Sequence, residues 1–92
     1  MEARKITVVN SMSQSSKTIM SGASTLGELK NDLTANHITF NNECSFTEGI
    51  SRTALLNDDS QLPMNVTYRG SQTNELVILI SATKSKISSG AF

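Results

Sequence analysis

Apolar residues are concentrated in a few stretches of the chain, and long polar intervals separate them. The first stretch, Lys5 to Asn10, sets the β-branched Ile6, Val8 and Val9 between polar ends and predicts a strand. Ser11 to Ser16 reads as a polar turn, and Lys17 to Met20, with Thr18 and Ile19, as a short second strand, so the two runs make a hairpin. Ser21-Gly22-Ala23-Ser24 breaks this pattern, and the period then changes. Leu26, Leu29 and Leu33 stand at i, i+3 and i+7, one apolar stripe on a helix from Leu26 to Ala35. Thr25 and Glu28 have the spacing of a capping box, in which the threonine hydroxyl and the glutamate carboxylate satisfy amides that the first turn leaves free. Asn36 is placed as a left-handed C-cap.

The second half is less regular. Ile38-Thr39-Phe40 predicts a short strand and Asn41-Asn42-Glu43 a turn, while Cys44 to Gly49 is ambiguous. Ser51 to Leu56 reads as a short strand or a helical turn, and Asn57-Asp58-Asp59-Ser60 as a turn. Pro63 favours extended backbone before it. Asn65 to Arg69 alternates, with Val66 and Tyr68 on one face and Thr67 and Arg69 on the other, and Gly70-Ser71-Gln72 follows as a turn. Glu75 to Ala82 holds five consecutive apolar residues, Leu76 to Ile80, the signature of a central strand covered on both faces. Residues 1–83 are expected to form one domain and 84–92 a flexible polar tail. The element order implies an α+β fold, a mixed sheet of four or five strands with one helix across one face. The last strand is expected to lie beside the first, in parallel, at the centre.

This order resembles the β-grasp, or ubiquitin-like, superfamily. Ala23-Ser24-Thr25-Leu26-Gly27-Glu28-Leu29-Lys30 is similar to the start of the helix in the sulfur-carrier branch of that superfamily, and it follows a hairpin as it does there. The resemblance implies a β-grasp fold. In the carrier branch it also implies a C-terminal tail ending in Gly-Gly, whose carboxylate is adenylated and then joined to sulfur or lysine. This chain ends Ser88-Ser89-Gly90-Ala91-Phe92, so only Gly90 matches.

Charge and composition narrow the chemistry. Eight basic and eight acidic residues give zero net charge, which removes the field that draws a chain to nucleic acid or an anionic membrane. One Cys and one His exclude an internal disulfide and a Cys/His zinc cage. No apolar run approaches the length of a membrane span, and Ile6 to Val9 is too short for a signal-peptide core, so a cytoplasmic location is expected. No phosphate-binding glycine motif occurs, and no cofactor is expected.

His37 and Cys44, seven residues apart, have two readings: a nucleophile and its base, or a helix-end cap and a small core residue. The second is preferred. Asp58 and Asp59 lack the alternating acids and distal glutamate of a calcium loop and read as a solvated turn. Arg4 and Lys5 read as charges that blunt one end of the sheet. A large polar surface on a small core suits binding better than catalysis. The expected function is therefore a non-enzymatic protein–protein interaction module, for example an accessory or decoration subunit of a larger assembly such as a virion. The residues expected to meet the protein partner are Tyr68, Arg69, Gly90 and Phe92. The alternative is a ubiquitin-like sulfur carrier or modifier that acts through its tail.

Overall fold

The computed structural model describes residues 3–11, 13–40 and 43–82. Strands β1 (Arg4–Asn10) and β2 (Ser15–Ser21) pair antiparallel in continuous register, from Arg4 opposite Ser21 to Asn10 opposite Ser15. Helix α1 (Leu26–Ala35) follows. Three short strands come next: β3 (Cys44–Glu48), β4 (Thr53–Leu55) and β5 (Val66–Tyr68). The last two are β6 (Ser71–Thr73) and β7 (Leu76–Ala82). The main sheet is five-stranded in the order β2-β1-β7-β3-β4. Among the described residues only β1 and β7 pair in parallel, and the most apolar strand stands at the centre, as its sequence implies.

The helix forms where the leucine stripe and the caps place it. The Thr25 hydroxyl accepts from the Glu28 amide at 3.3 Å, and the Glu28 carboxylate accepts from the Ser24 amide at 2.8 Å and the Ser24 hydroxyl at 3.0 Å. The turn at residues 57–60 adds to this cap, since the carbonyls of Asp58 and Ser60 accept from the amides of Gly27 and Leu26. Leu26, Leu29 and Leu33 then press into one face of the sheet against Ile6, Val8, Ile19, Phe46, Leu76, Ile78 and Ile80. Burial of each such aliphatic side chain stabilises the fold by about 1.5–3 kcal/mol.

Several details depart from the sequence reading. The left-handed residue that ends α1 is His37 (φ 63°), not Asn36 (φ −100°). The amides of His37 and Ile38 donate back to the carbonyls of Thr34 and Leu33, which closes a Schellman motif. This sharp exit turns Ile38 and Phe40 under the core edge, so Ile38-Thr39-Phe40 forms no strand. Phe40 instead meets Phe46 edge to face, with ring centroids 5.5 Å apart. The β1–β2 turn is shorter than expected, because Ser15 and Ser16 already pair as strand.

The Asn65–Arg69 segment does not enter the main sheet. β5 and β6 form a separate two-stranded ribbon, joined by Arg69 and Gly70, both with positive φ (54° and 82°). Positive φ at both central residues is the geometry of a type I′ hairpin, so Arg69 is a turn residue and Ser71 and Gln72 belong to a strand. Among the described residues, β7 is fully covered on one face only. Leu76, Ile78 and Ile80 are buried beneath α1, but Val77 and Leu79 stay partly exposed because, among the described residues, no second helix covers the other side. The proposed tail, residues 84–92, lies outside the described residues. No helix among the described residues is long and apolar enough to cross a membrane.

Candidate interaction surface

The face of the sheet away from α1 follows from strand alternation. Buried Ile6, Val8, Ile78, Ile80 and Phe46 fix the inward positions, so Thr7, Val9, Val77, Leu79 and Thr47 point the other way. Pairing carries this row sideways into Thr18 and Met20 of β2 and Ala54 of β4. Lys5 is the single charged residue in these outward strand positions. Hydroxyls on neighbouring strands bond to one another across the face: Thr7 and Thr18 lie 3.2 Å apart through their Oγ1 atoms. The surface is β-branched and hydroxylated, and Met20, 61% exposed, stands on it unburied.

Two loops rise at one end of this face. Gly49 lies flat on it, for a Cβ there would come within 3.3 Å of Leu79 Cγ and Val77 Cγ1. Its amide donates to the Val77 carbonyl at 2.6 Å, and Ile50 follows beside it. On the other side stands the β5–β6 ribbon. Between them is a hollow of about 350 Å³ with Thr7 and Val77 as its floor. Ile50 forms one wall, and Tyr68, Ser71 and Thr73 form the other, with Glu75 and Leu76 at the end. Tyr68 is 51% exposed, and the Arg69 guanidinium covers its ring at 5.2 Å from the centroid. An aliphatic floor with a half-exposed tyrosine and several hydroxyls offers van der Waals contact and hydrogen bonds to an inserted side chain.

Of the four residues expected at the interface, Tyr68 lines this hollow and Arg69 lies over the Tyr68 ring. Gly90 and Phe92 lie outside the described residues. His37 is exposed at the end of α1, whereas Cys44, at the start of β3, packs against the core. Asp58 accepts from Lys30 Nζ at 2.8 Å, so the acidic turn clamps the helix start. No group of three or more His, Cys, Asp and Glu side chains that could hold a metal comes together among the described residues. No protein-family model, curated protein or solved structure matches the chain.

Sequence reasoning missed two buried charges that shape this end of the molecule. Arg4 does not blunt the sheet; it is 5% exposed, and Glu48 is wholly buried. Arg4 Nη1 donates to the carbonyls of Pro63 at 2.7 Å and Met64 at 3.0 Å, while Nε and Nη2 are buried with no partner among the described residues. Glu48 accepts from the Ser51 amide and hydroxyl through one oxygen and from the Val77 amide, at 2.8 Å, through the other. Burial pushes the Arg4 pKa down, and the charge of Glu48 opposes that shift. The signal was present in the period: Arg4 stands two residues before Ile6, and Glu48 two after Phe46, so each occupies an inward position. By holding the Ser51 and Val77 backbone, Glu48 anchors the turn that carries Ile50 into the hollow.

Proposed function

We propose that the chain is a non-enzymatic protein-interaction module of β-grasp architecture, which docks a protein partner on its open sheet face and takes an anchor side chain in the hollow beside Tyr68. The observation that carries this reading is the nearly uncharged, hydroxyl-rich face ending in that hollow. The sheet order β2-β1-β7-β3-β4, with a parallel central pair and one helix packed across it, supports the architecture. The interfaces of protein complexes favour tyrosine, methionine and arginine and exclude other charge from their centre. Tyr68, Met20 and Arg69 match that composition. An accessory subunit of a larger assembly is the form of this function that best suits so small a core.

Photo-crosslinking in the cells that make the protein tests the proposal. A benzophenone side chain is placed at Tyr68 in one variant and at Thr34, exposed on α1, in another. A discrete protein adduct from position 68 with none from position 34 is expected. Adducts from position 34 alone, or from neither, would reject the surface.

A further inference from the structure

β2 is an edge strand of unusual openness. It runs seven residues without a bulge, since every residue from Ser15 to Ser21 has its partner in β1, and among the described residues β1 is the only strand it pairs with. Proteins guard such edges with charge, proline, bulges or a covering segment. β2 contains no proline, and its single charged residue, Lys17, turns its ammonium onto the Asn36 carbonyl at 2.7 Å, at the end of α1. The opposite edge, β4, is only three residues long.

From this edge we infer that the chain forms a two-fold dimer in which β2 pairs antiparallel with β2 of a second copy, joining two five-stranded sheets into one. Two-fold antiparallel pairing requires one residue to stand opposite itself. Full overlap of a seven-residue strand makes that residue the central one, Thr18. The sequence fits this register. Thr18 is uncharged, Lys17 faces Ile19 of the second copy, and Met20 faces Ser16, so the two lysines are never opposed. The Thr7–Thr18 hydroxyl pair continues across the axis as a four-threonine row. Threonine pairs on neighbouring strands stabilise a sheet. Met20, 61% exposed in one copy, gains a neighbour along this row. The dimer uses a different surface from the hollow beside Tyr68 and leaves that hollow open in both copies.

The full chain is tested by sedimentation equilibrium and light scattering from micromolar to millimolar concentration. The expected result is a concentration-dependent mass reaching twice that of the monomer. Thr18→Lys sets two ammonium groups face to face and weakens the dimer by about tenfold or more, whereas Thr53→Lys on the β4 edge leaves it unchanged. Circular dichroism confirms that each variant folds. A second arm needs no loss of association: Thr18→Cys in a Cys44→Ser background forms an intermolecular disulfide on mild oxidation, because directly opposed strand residues lie about 4.5–5.5 Å apart at Cα. Thr53→Cys in the same background does not. A monomeric mass throughout, a dimer indifferent to Thr18→Lys, or equal cross-linking from positions 18 and 53 would overturn the inference.

Discussion

Arg4 and Glu48 hold opposite charges inside the same buried layer and act on each other through their field rather than through a direct bond. Arg4 donates to the Pro63 and Met64 carbonyls, Glu48 accepts from Ser51 and Val77, and the charge of Glu48 works against the fall that burial imposes on the Arg4 pKa. Each group ties a loop to the sheet: Arg4 the segment before β5, Glu48 the turn before β4. Between them they place both walls of the hollow.

Removing either charge takes away the field that opposes the other's burial and frees the backbone groups it holds, and a lost hydrogen bond to a charged group costs about 1.5–3 kcal/mol. Arg4→Met and Glu48→Leu are each expected to lower stability by about that amount. The double variant Arg4→Met with Glu48→Leu is expected to lose less than the sum of the single effects. Urea unfolding midpoints arranged as a double-mutant cycle measure this, and strict additivity would show that the two charges are independent.

Acid should loosen the start of α1. The Ser24 amide and hydroxyl hold the Glu28 carboxyl below the usual carboxylate range. Its stabilising contribution is therefore complete above the unfolded-state value of about 4.3 and is lost as pH falls through the lower folded value. Melting temperature is expected to drop in that acid window. Glu28→Gln should melt lower than wild type at neutral pH and show a flatter acid limb. Thermal melts of both proteins from neutral pH into the acid range decide the point.

Gly27 has a packing role in the first turn of α1. A Cβ there would stand 3.1 Å from Asp58 Cβ and 3.2 Å from the Asp58 carbonyl oxygen, inside the cap that Asp58 makes with the Gly27 amide. Gly27→Val is expected to destabilise by about 1–3 kcal/mol, as overpacking of a close contact does. The same substitution paired with Asp58→Gly should recover part of the loss in a denaturant titration.

Arg69 occupies a turn position that strains an ordinary side chain, with φ of 54°, while its guanidinium covers Tyr68. Arg69→Asn creates the Asn-Gly pair that type I′ hairpins prefer and removes that cover. The variant is expected to gain up to about 1 kcal/mol of stability through relief of left-handed strain. If the proposed surface is correct, it should also lose cross-linking yield at position 68. Greater stability with undiminished yield would separate Arg69 from partner binding.

The leucine stripe, the capping box and the apolar run from Leu76 to Ile80 were legible because each is a local pattern with a local cause. Side-chain periodicity sets which face is buried, and Thr25 and Glu28 satisfy amides only a few residues away. The hairpin of β1 and β2 and the parallel place of β7 beside β1 followed from the order of elements. Ile38 to Phe40 was misread because β propensity within three residues carried less weight than a Schellman turn one residue upstream. The ribbon at 66–73 was misread because Arg69 and Gly70 together make the two-residue turn, and a left-handed arginine carries no compositional signal.

By itself the sequence determined the α+β class, the helix with its N-cap, and the hairpin and central strand. These depend on periodicity and short-range hydrogen bonds, which the chain carries in any context. Only the tertiary structure decided how deeply Arg4 and Glu48 are buried, that Val77 and Leu79 face outward and stay partly exposed, and that Ile50 and Tyr68, eighteen positions apart, wall one hollow. Those outcomes depend on which surfaces one helix and one ribbon are large enough to cover. Among the described residues a single helix covers one face of the five-stranded sheet. The face left open is where the proposed function resides.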